Sequence, residues 1–347
     1  MDRLDLKNLT KEELEAELIR IGEKRFRAAQ MYEWMHKKLA SSVSEMTNLS
    51  EGLRKKLAEE YDYTCLQKEV MLLSEKDGTR KYLFRLTDGN VIESVMMRYH
   101  HGNSVCISSQ VGCRMGCTFC ASTIGGLVRN LSAAEMLDQV YSVQRDTGER
   151  VSNVVVMGTG EPLDNYDNLI RFVKMLSSED GLNISRRNIT VSTCGLADKL
   201  KKLADEDLGI TPALSLHAPD DELRKRLMPV AKKYSLSEVM EAVDYYIEKT
   251  GKRMTTEYSL IRDVNDTPEH ARKLIALLRG RKCHVNLIPV NPVEEREYRR
   301  SHITNVLTFQ NLLEKAGINV TIRREMGTDI NAACGQLRRH FEEEHKG

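Results

Sequence analysis

The sequence predicts an α/β fold: a partial, TIM-like (β/α)6 barrel preceded by a small helical module and a β-hairpin. Two observations lead there. From Ser104 onward, β-branched runs alternate with helical periodicity, the pattern of right-handed βαβ units around a parallel sheet. The first hundred residues lack that alternation and carry helix-start and hairpin-turn chemistry instead. The chain therefore divides into an accessory module, 1–100, and the barrel with a C-terminal extension, 101–347.

Thr10-Lys11-Glu12-Glu13 is a capping box, whose hydroxyl and carboxylate satisfy orphan amides at a helix start, and it opens a helix to about Arg20. A second helix follows, with Phe26, Tyr32, Trp34, Met35 and Leu39 as expected core positions, and a third runs from Ser50 to about Glu60. Lys81–Leu86 and Val91–Arg98 read as strands joined by the turn Asp88-Gly89-Asn90. The barrel strands are expected at Ser104–Ser108, Asn153–Met157, Asn188–Ser192, Thr211–Leu216, Arg253–Leu260 and His284–Ile288. Helices fall between them at Leu137–Gln144, Leu169–Leu176, Ala197–Asp205, Leu236–Ile247 and Pro268–Leu278, the first opened by the capping box Ser132-Ala133-Ala134-Glu135. A last helix, Val306–Lys315, and a strand, Ile318–Arg323, lead into a Gly-containing tail.

Composition excludes several classes. With 41% hydrophobic and 30% charged residues over 347 positions, the chain suits a soluble protein with a sizeable core. No apolar run approaches the ~18 residues of a membrane span, and Met1-Asp2-Arg3-Leu4-Asp5-Leu6 lacks the pattern of a signal peptide, so a cytoplasmic protein without a membrane partner is expected. A net charge of +1 leaves any nucleic-acid binding to local patches. Eight cysteines in a reducing compartment read as metal ligands or reactive thiols, not as a disulfide framework.

Spacing decides among them. Cys113-Arg-Met-Gly-Cys117-Thr-Phe-Cys120 is a C-x3-C-x2-C run directly after the first barrel strand. Three thiolates on one short loop can hold three irons of a 4Fe–4S cube and leave the fourth open. The open iron can chelate S-adenosylmethionine and pass an electron into its sulfonium. Structural zinc takes four ligands, often as two separated pairs, and no such pairs are present. The spacing, with Phe119 before the last cysteine, is the signature of the radical S-adenosylmethionine superfamily, which this chain resembles.

At the end of the second barrel strand stands Gly158-Thr159-Gly160-Glu161-Pro162, where glycines would let the backbone approach a ligand. In that superfamily such a run binds the methionine amino group, which marks Gly160 and Glu161. Ser192, the Ser215-Leu216-His217 run and Asn291 end further strands and are expected to ring the same cavity. Each has a plainer reading as turn chemistry, and His217 as a satisfied core histidine. Cys106 lies on the first strand, and Cys334 in Asn331-Ala332-Ala333-Cys334-Gly335-Gln336 reads as an approachable thiol; Cys65, Cys194 and Cys283 read as structural.

Taken together, the cysteine loop from Gly112 to Thr123, Met157–Leu163, Ser215–His217 and Asp329–Leu337 resemble the RlmN/Cfr family of RNA adenine methyltransferases, over nearly the whole chain and most closely its RlmN branch. The resemblance implies one 4Fe–4S cluster on Cys113, Cys117 and Cys120, and two molecules of S-adenosylmethionine per turnover. The first methylates a cysteine that maps onto Cys334. The second yields the radical that activates this methyl group for addition to carbon 2 of adenine, joining protein and RNA covalently. Cys106 maps onto the thiol that releases the product as a disulfide forms, and Glu93 onto the base that removes the ring proton. The implied partners are 23S rRNA, the tRNA whose adenosine lies beside the anticodon, a flavodoxin- or ferredoxin-like electron donor and a thiol reductant, with a monomer expected. Local support for RNA comes from Lys24–Arg27 with Lys37 and Lys38, from Arg54-Lys55-Lys56, and from Arg323, Arg324, Arg338 and Arg339. Val293–Ser301 is more charged than the Gly/Pro-rich loop of many members. Rival readings are Cfr-like methylation of carbon 8, a glycyl-radical activase, and an RNA-binding protein with a structural metal.

Overall fold

The computed structural model describes residues 3–293, 295–330, 337, 338 and 341. Helices α1 (Lys11–Arg20), α2 (Phe26–His36) and α3 (Glu51–Glu60) form the N-terminal module. Thr10 and Glu13 make the reciprocal capping box that the sequence announces. The buried stripe of α2 runs Ala28, Met31, Tyr32, Met35, the i, i+3, i+4, i+7 spacing of one helix face. Phe26 starts the helix off that stripe and is 51% exposed, which corrects its assignment to the core. Leu39 is buried, but beyond the helix end, in a left-handed backbone conformation at φ 58°.

Strands β1 (Gln67–Leu73), β2 (Arg80–Arg85), β3 (Val91–Tyr99) and β4 (Gly102–Ile107) follow as consecutive antiparallel neighbours. The β2–β3 hairpin turns at the expected Asp88-Gly89-Asn90, while β1 is an addition that the sequence did not announce. Its residues are mostly exposed or half-buried at the sheet edge and show no alternation of apolar and polar positions. The short pair β5 (Gln110–Gly112) and β6 (Leu127–Asn130) brackets the cysteine loop.

The barrel units then run in order: α4 (Ala133–Thr147), β7 (Val151–Val156), α5 (Tyr166–Leu176), β8 (Ile189–Thr193), α6 (Ala197–Asp205) and β9 (Thr211–Ser215). They continue with α7 (Asp221–Leu227), α8 (Leu236–Thr250), β10 (Met254–Leu260), α9 (Pro268–Leu278), β11 (Cys283–Pro289), α10 (Ile303–Lys315) and β12 (Val320–Ile322). One ten-stranded sheet results, in the order β1-β2-β3-β4-β7-β8-β9-β10-β11-β12, parallel from β4 onward. Each predicted barrel strand is present. The outer face of the sheet buries Val154, Val156, Val191, Leu214, Tyr258 and Leu287 against the helices, and the alternate positions face inward. The edge between accessory module and barrel, drawn at residue 100, falls on the turn joining β3 to β4, two strands of this one sheet.

The helical module is tied to the barrel through buried polar contacts on α4. Lys7 Nζ lies 2.8 Å from Asp138 Oδ1, both fully buried, and the Leu66 amide donates to Asp138 Oδ2 at 2.8 Å. Burial pushes the Asp138 carboxyl up, and the charges of Lys7 and Arg145 more than reverse it, leaving it below its ordinary value. Nearby, His36 Nδ1 meets the Tyr141 hydroxyl at 2.9 Å. Among the described residues, no helix is long and apolar enough to cross a membrane.

Burial, followed by the charge of Lys7, lowers His36 from 6.5 to about 3, so the folded chain keeps it neutral. Its contribution to stability is complete above pH 6.5 and is lost as pH falls towards 3, because only the unfolded chain takes up the proton in that window. The expected slope is roughly 1.4 kcal/mol per pH unit. Urea midpoints measured between pH 7 and 5 should fall, and His36→Gln should remove one proton's share, roughly 1.4 kcal/mol per pH unit, from that slope.

Candidate active site at the cysteine loop

Contacts at its start, at its end and beneath it give the cysteine loop its shape. At its start, Gly112 adopts φ +77°, and a Cβ there would stand 2.0 Å from the Gly126 carbonyl oxygen, so β5 and β6 can close on each other only with glycine. The Cys113 amide then donates to that same oxygen at 2.9 Å. At its end, the Thr123 hydroxyl donates to the carbonyls of Cys117 and Cys120 at 3.0 and 2.9 Å. From below, the C-terminus of α7 accepts the Thr118 amide on Leu227 O at 2.9 Å. The charged stretch 295–301 folds back over the loop: the Tyr298 hydroxyl lies 2.7 Å from Thr118 Oγ1, and Arg296 donates to Thr123 Oγ1 at 3.4 Å.

Cys113 and Cys117 are buried and Cys120 is half-buried, and all three line a cavity of about 150 Å³. Burial pushes the Cys113 thiol up to about 12 and raises Cys117 further. Such thiols stay protonated until a metal displaces the proton, so cluster uptake releases protons. Among the described residues, no three ligand side chains converge on a single ion. Three thiols of one short loop that line a single cavity are a donor set that fits three irons of a 4Fe–4S cube.

The glycine run at the end of β7 has a packing cause ahead of any ligand. A Cβ on Gly158 would lie 2.7 Å from Ile107 O, and one on Gly160, at φ +111°, would lie 2.7 Å from Gln110 Cβ. Gly158 lets the end of β4 approach and Gly160 the start of β5, although both also line the cavity. Glu161 is 3% exposed, and its two oxygens accept the amides of Leu163 at 3.0 Å and Cys194 at 2.7 Å. Its carboxylate thus bridges the ends of β7 and β8, and burial raises its pKa despite these bonds. Cys194, read from the sequence as structural, stands in the cavity wall.

Ser192 and Ser215 reach the cavity together, their hydroxyls 3.2 Å apart. His217 also lines it, held at φ +56°, with Nδ1 accepting the Ser259 amide at 2.9 Å and its ring edge-on to Phe119. Nδ1 is therefore the acceptor and Nε2 carries the proton, while burial lowers the pKa to about 3. Two expected members of the ring fall outside it. Leu216 points into the core, fully buried, because alternation along the strand turns it away from its neighbours. Asn291 lies two residues past β11 and is exposed.

A second group forms on the inward face of β3 and β4. The antiparallel register sets Val95 opposite Cys106, and Glu93 lies two residues along on the same face. Cys106 packs with Val95 and Met97, and Met157 and Met326 close over them. Glu93 is buried beside Lys81, Nζ to Oε2 3.3 Å, and its Oε1 accepts the Arg338 amide at 2.6 Å. Cys334 lies outside the described residues. On one side of it, Asp329 accepts from the Ser74 hydroxyl at 2.7 Å and the Glu75 amide at 3.0 Å, and on the other stands the Arg338–Glu93 contact. The sequence reading missed Lys81; the available signal was an ionisable residue on each arm of one hairpin, on the same face.

Because Gly112 admits no side chain, Gly112→Ala should separate β5 from β6 and misplace Cys113. Iron and sulfide per chain after anaerobic reconstitution should fall well below the wild-type content, with an unchanged far-ultraviolet spectrum; full loading of the variant would sink this account.

Comparison with known proteins places this geometry. Residues 107–278 match the family model of the radical SAM superfamily, and residues 4–62 match that of the ribosomal RNA large subunit methyltransferase N-terminal domain. A relative from Lachnoclostridium phytofermentans, named "Probable dual-specificity RNA methyltransferase RlmN", is 63% identical over 98% of this chain and 96% of its own length. One of the same name from Lachnospira eligens is 62% identical over 98% and 97%. The crystal structure of a radical SAM methyltransferase from Sphaerobacter thermophilus superposes with a TM-score of 0.93 at 42% identity, covering 96% of this chain and 98% of that one. Family models in chain order, near-full-length identity and a shared fold agree: the chain belongs to the RlmN family of radical S-adenosylmethionine methyltransferases.

Proposed function

We propose that this enzyme methylates carbon 2 of an adenine in 23S rRNA and of the adenosine beside the tRNA anticodon, through a methylated Cys334 and a covalent protein–RNA intermediate. One observation carries the reading. The tail on either side of Cys334 is held to the sheet face bearing Glu93 and Cys106, by Met326 against the Cys106 cluster and by the Arg338 amide on Glu93. The relatives' name, a dual-specificity RNA methyltransferase, supports RNA as substrate and two substrate classes.

Cys113, Cys117 and Cys120 would hold one 4Fe–4S cluster, with Gly160, Glu161, Ser192, Ser215 and His217 shaping the cavity for S-adenosylmethionine. When bound, the cluster supplies the electron that splits this cofactor into methionine and a 5′-deoxyadenosyl radical. Two cofactor molecules serve each turnover, one as methyl donor to Cys334 and one as radical source. Cys334 carries the methyl group as a thioether, gives one hydrogen atom from it to the 5′-deoxyadenosyl radical, and binds the adenine carbon through the resulting methylene; the unpaired electron of the adduct would return to the oxidised cluster. Glu93, buried beside Lys81, takes the proton from carbon 2. The Cys106 thiolate then attacks the Cys334 sulfur, the carbon–sulfur bond breaks with its electron pair going to the methylene carbon, which takes up a proton to complete the methyl group, and a disulfide remains. A thiol reductant restores it, and a flavodoxin- or ferredoxin-like donor reduces the cluster. The target base must leave its stack to reach this face, and residues 1–100 would grip RNA through exposed cations such as Lys24, Lys37 and Lys55. The protein would act as a cytoplasmic monomer.

Anaerobic turnover with an rRNA fragment, S-adenosylmethionine and reductant, followed by nucleoside mass spectrometry, tests the reading. The expected product is 2-methyladenosine, absent with Cys334→Ala, while Cys106→Ala should accumulate RNA covalently attached to protein. 8-Methyladenosine would instead make the enzyme Cfr-like. Separately, Glu93→Gln, which keeps the shape of the side chain but cannot take a proton, should lower turnover by roughly a hundredfold or more while Cys334 is still methylated. Undiminished turnover would remove Glu93 from the role of base.

A further inference from the structure

Helix α7 carries a side chain for which the steps above have no use. Arg224 is fully buried, and its Nη2 donates to the Cys194 carbonyl at 2.6 Å. Its Nε and Nη1 are buried with no hydrogen-bond partner, and among the described residues no carboxylate forms an ion pair with it. Native interiors seldom leave a cation in that condition, because a buried charge without a counter-charge is strongly destabilising. The exception is a position to which an anion is delivered.

Its surroundings identify that anion. Cys194, whose carbonyl holds Nη2, stands in the wall of the cysteine cavity, and the field of the guanidinium acts on Cys117, Cys194 and His217. The last carbonyl of the same helix, Leu227 O, accepts the Thr118 amide between Cys117 and Cys120. Arg224 is thus anchored to the element on which the loop rests. Gly195 keeps the approach open, since a Cβ there would lie 3.0 Å from Nη2. A 4Fe–4S cluster on three thiolates carries one net negative charge when oxidised and two when reduced. The added electron is where a nearby fixed cation has its largest effect.

We propose that Arg224 is a positioning residue that sets the reduction potential of the cluster, its guanidinium supplying the positive charge that stabilises the added electron. The inference rests on Cys113, Cys117 and Cys120 being the cluster ligands. It concerns the equilibrium of a single electron taken from an external reductant, and no bond to Arg224 forms or breaks.

The experiment is an EPR-monitored redox titration of the full chain, anaerobically reconstituted and free of S-adenosylmethionine. Wild type would be compared with Arg224→Lys, Arg224→Met and Arg224→Gln, the last keeping a donor for the Cys194 carbonyl without the charge. Both neutral variants should favour the oxidised cluster at least tenfold, a shift of about 59 mV to more negative potential for a one-electron couple. Arg224→Lys should stay within threefold of wild type. Failure of both neutral variants to retain a cluster that Arg224→Lys holds would equally support the role of charge. Neutral variants with the wild-type potential would overturn the inference, including the case where only S-adenosylmethionine binding weakens, which would assign Arg224 to the cofactor carboxylate. Loss of the cluster in all three variants would reduce Arg224 to a packing role. A wild-type chain that takes up no iron and sulfide would remove the ligand assignment beneath it.

Discussion

Strand β4 belongs to two kinds of sheet at once, and the rest of the molecule depends on that sharing. On one side it pairs parallel with β7 and begins the barrel; on the other it pairs antiparallel with β3 and continues into the N-terminal strands. Its alternate residues therefore serve two purposes. Val105 and Ile107 enter the core beneath the helices, while Cys106 faces inward beside Val95, on the face that also carries Glu93. Its last residue leads directly to Ser108, whose amide and carbonyl are both held by the Gln139 side chain of α4, and from there to the cysteine loop. A one-residue slip of β4 would reverse every one of these assignments.

The polar groups buried around this strand follow a common logic. Glu161 is satisfied by backbone amides and fastens two strand ends, and Asp138 is satisfied by Lys7 and Arg145 and fastens the helical module. Both are complete within the chain, and both read as architecture. Glu93 has partners from two segments, the cation of Lys81 on the neighbouring strand and the returning tail on the other side. Arg224 retains unpartnered donors. Buried charge that is fully compensated holds shape, whereas incompletely compensated charge lies beside the places where chemistry or a ligand is expected.

Much was legible from residue order alone, and for definite reasons. The barrel strands and most of the helices showed because a buried parallel strand needs a continuous β-branched run and an amphipathic helix needs its period, both local properties. The capping boxes at Thr10, Ser132 and Ser235 are local for the same reason. The cysteine loop was legible because its three thiols lie within eight residues. What failed lacked a local signature. Edge strand β1 has no alternation, and α7, with Asp-Glu-Leu-Arg-Lys-Arg-Leu, looks like solvated charge until its middle arginine is seen buried.

The sequence by itself determined the succession of strands and helices, the glycine before the first cysteine and the set of thiols available for chemistry, because each is settled by neighbours along the chain. Only the tertiary structure decided which of those groups meet. It turned Leu216 into the core, away from the cavity, left Asn291 outside it, brought Cys194 into the cavity wall, and laid the stretch 295–301 over the cysteine loop. It also set Lys81 against Glu93, and joined the tail at Arg338 to a carboxylate 245 residues earlier. Such contacts depend on sheet register and on which face a strand presents, and neither is encoded by any short stretch of residues.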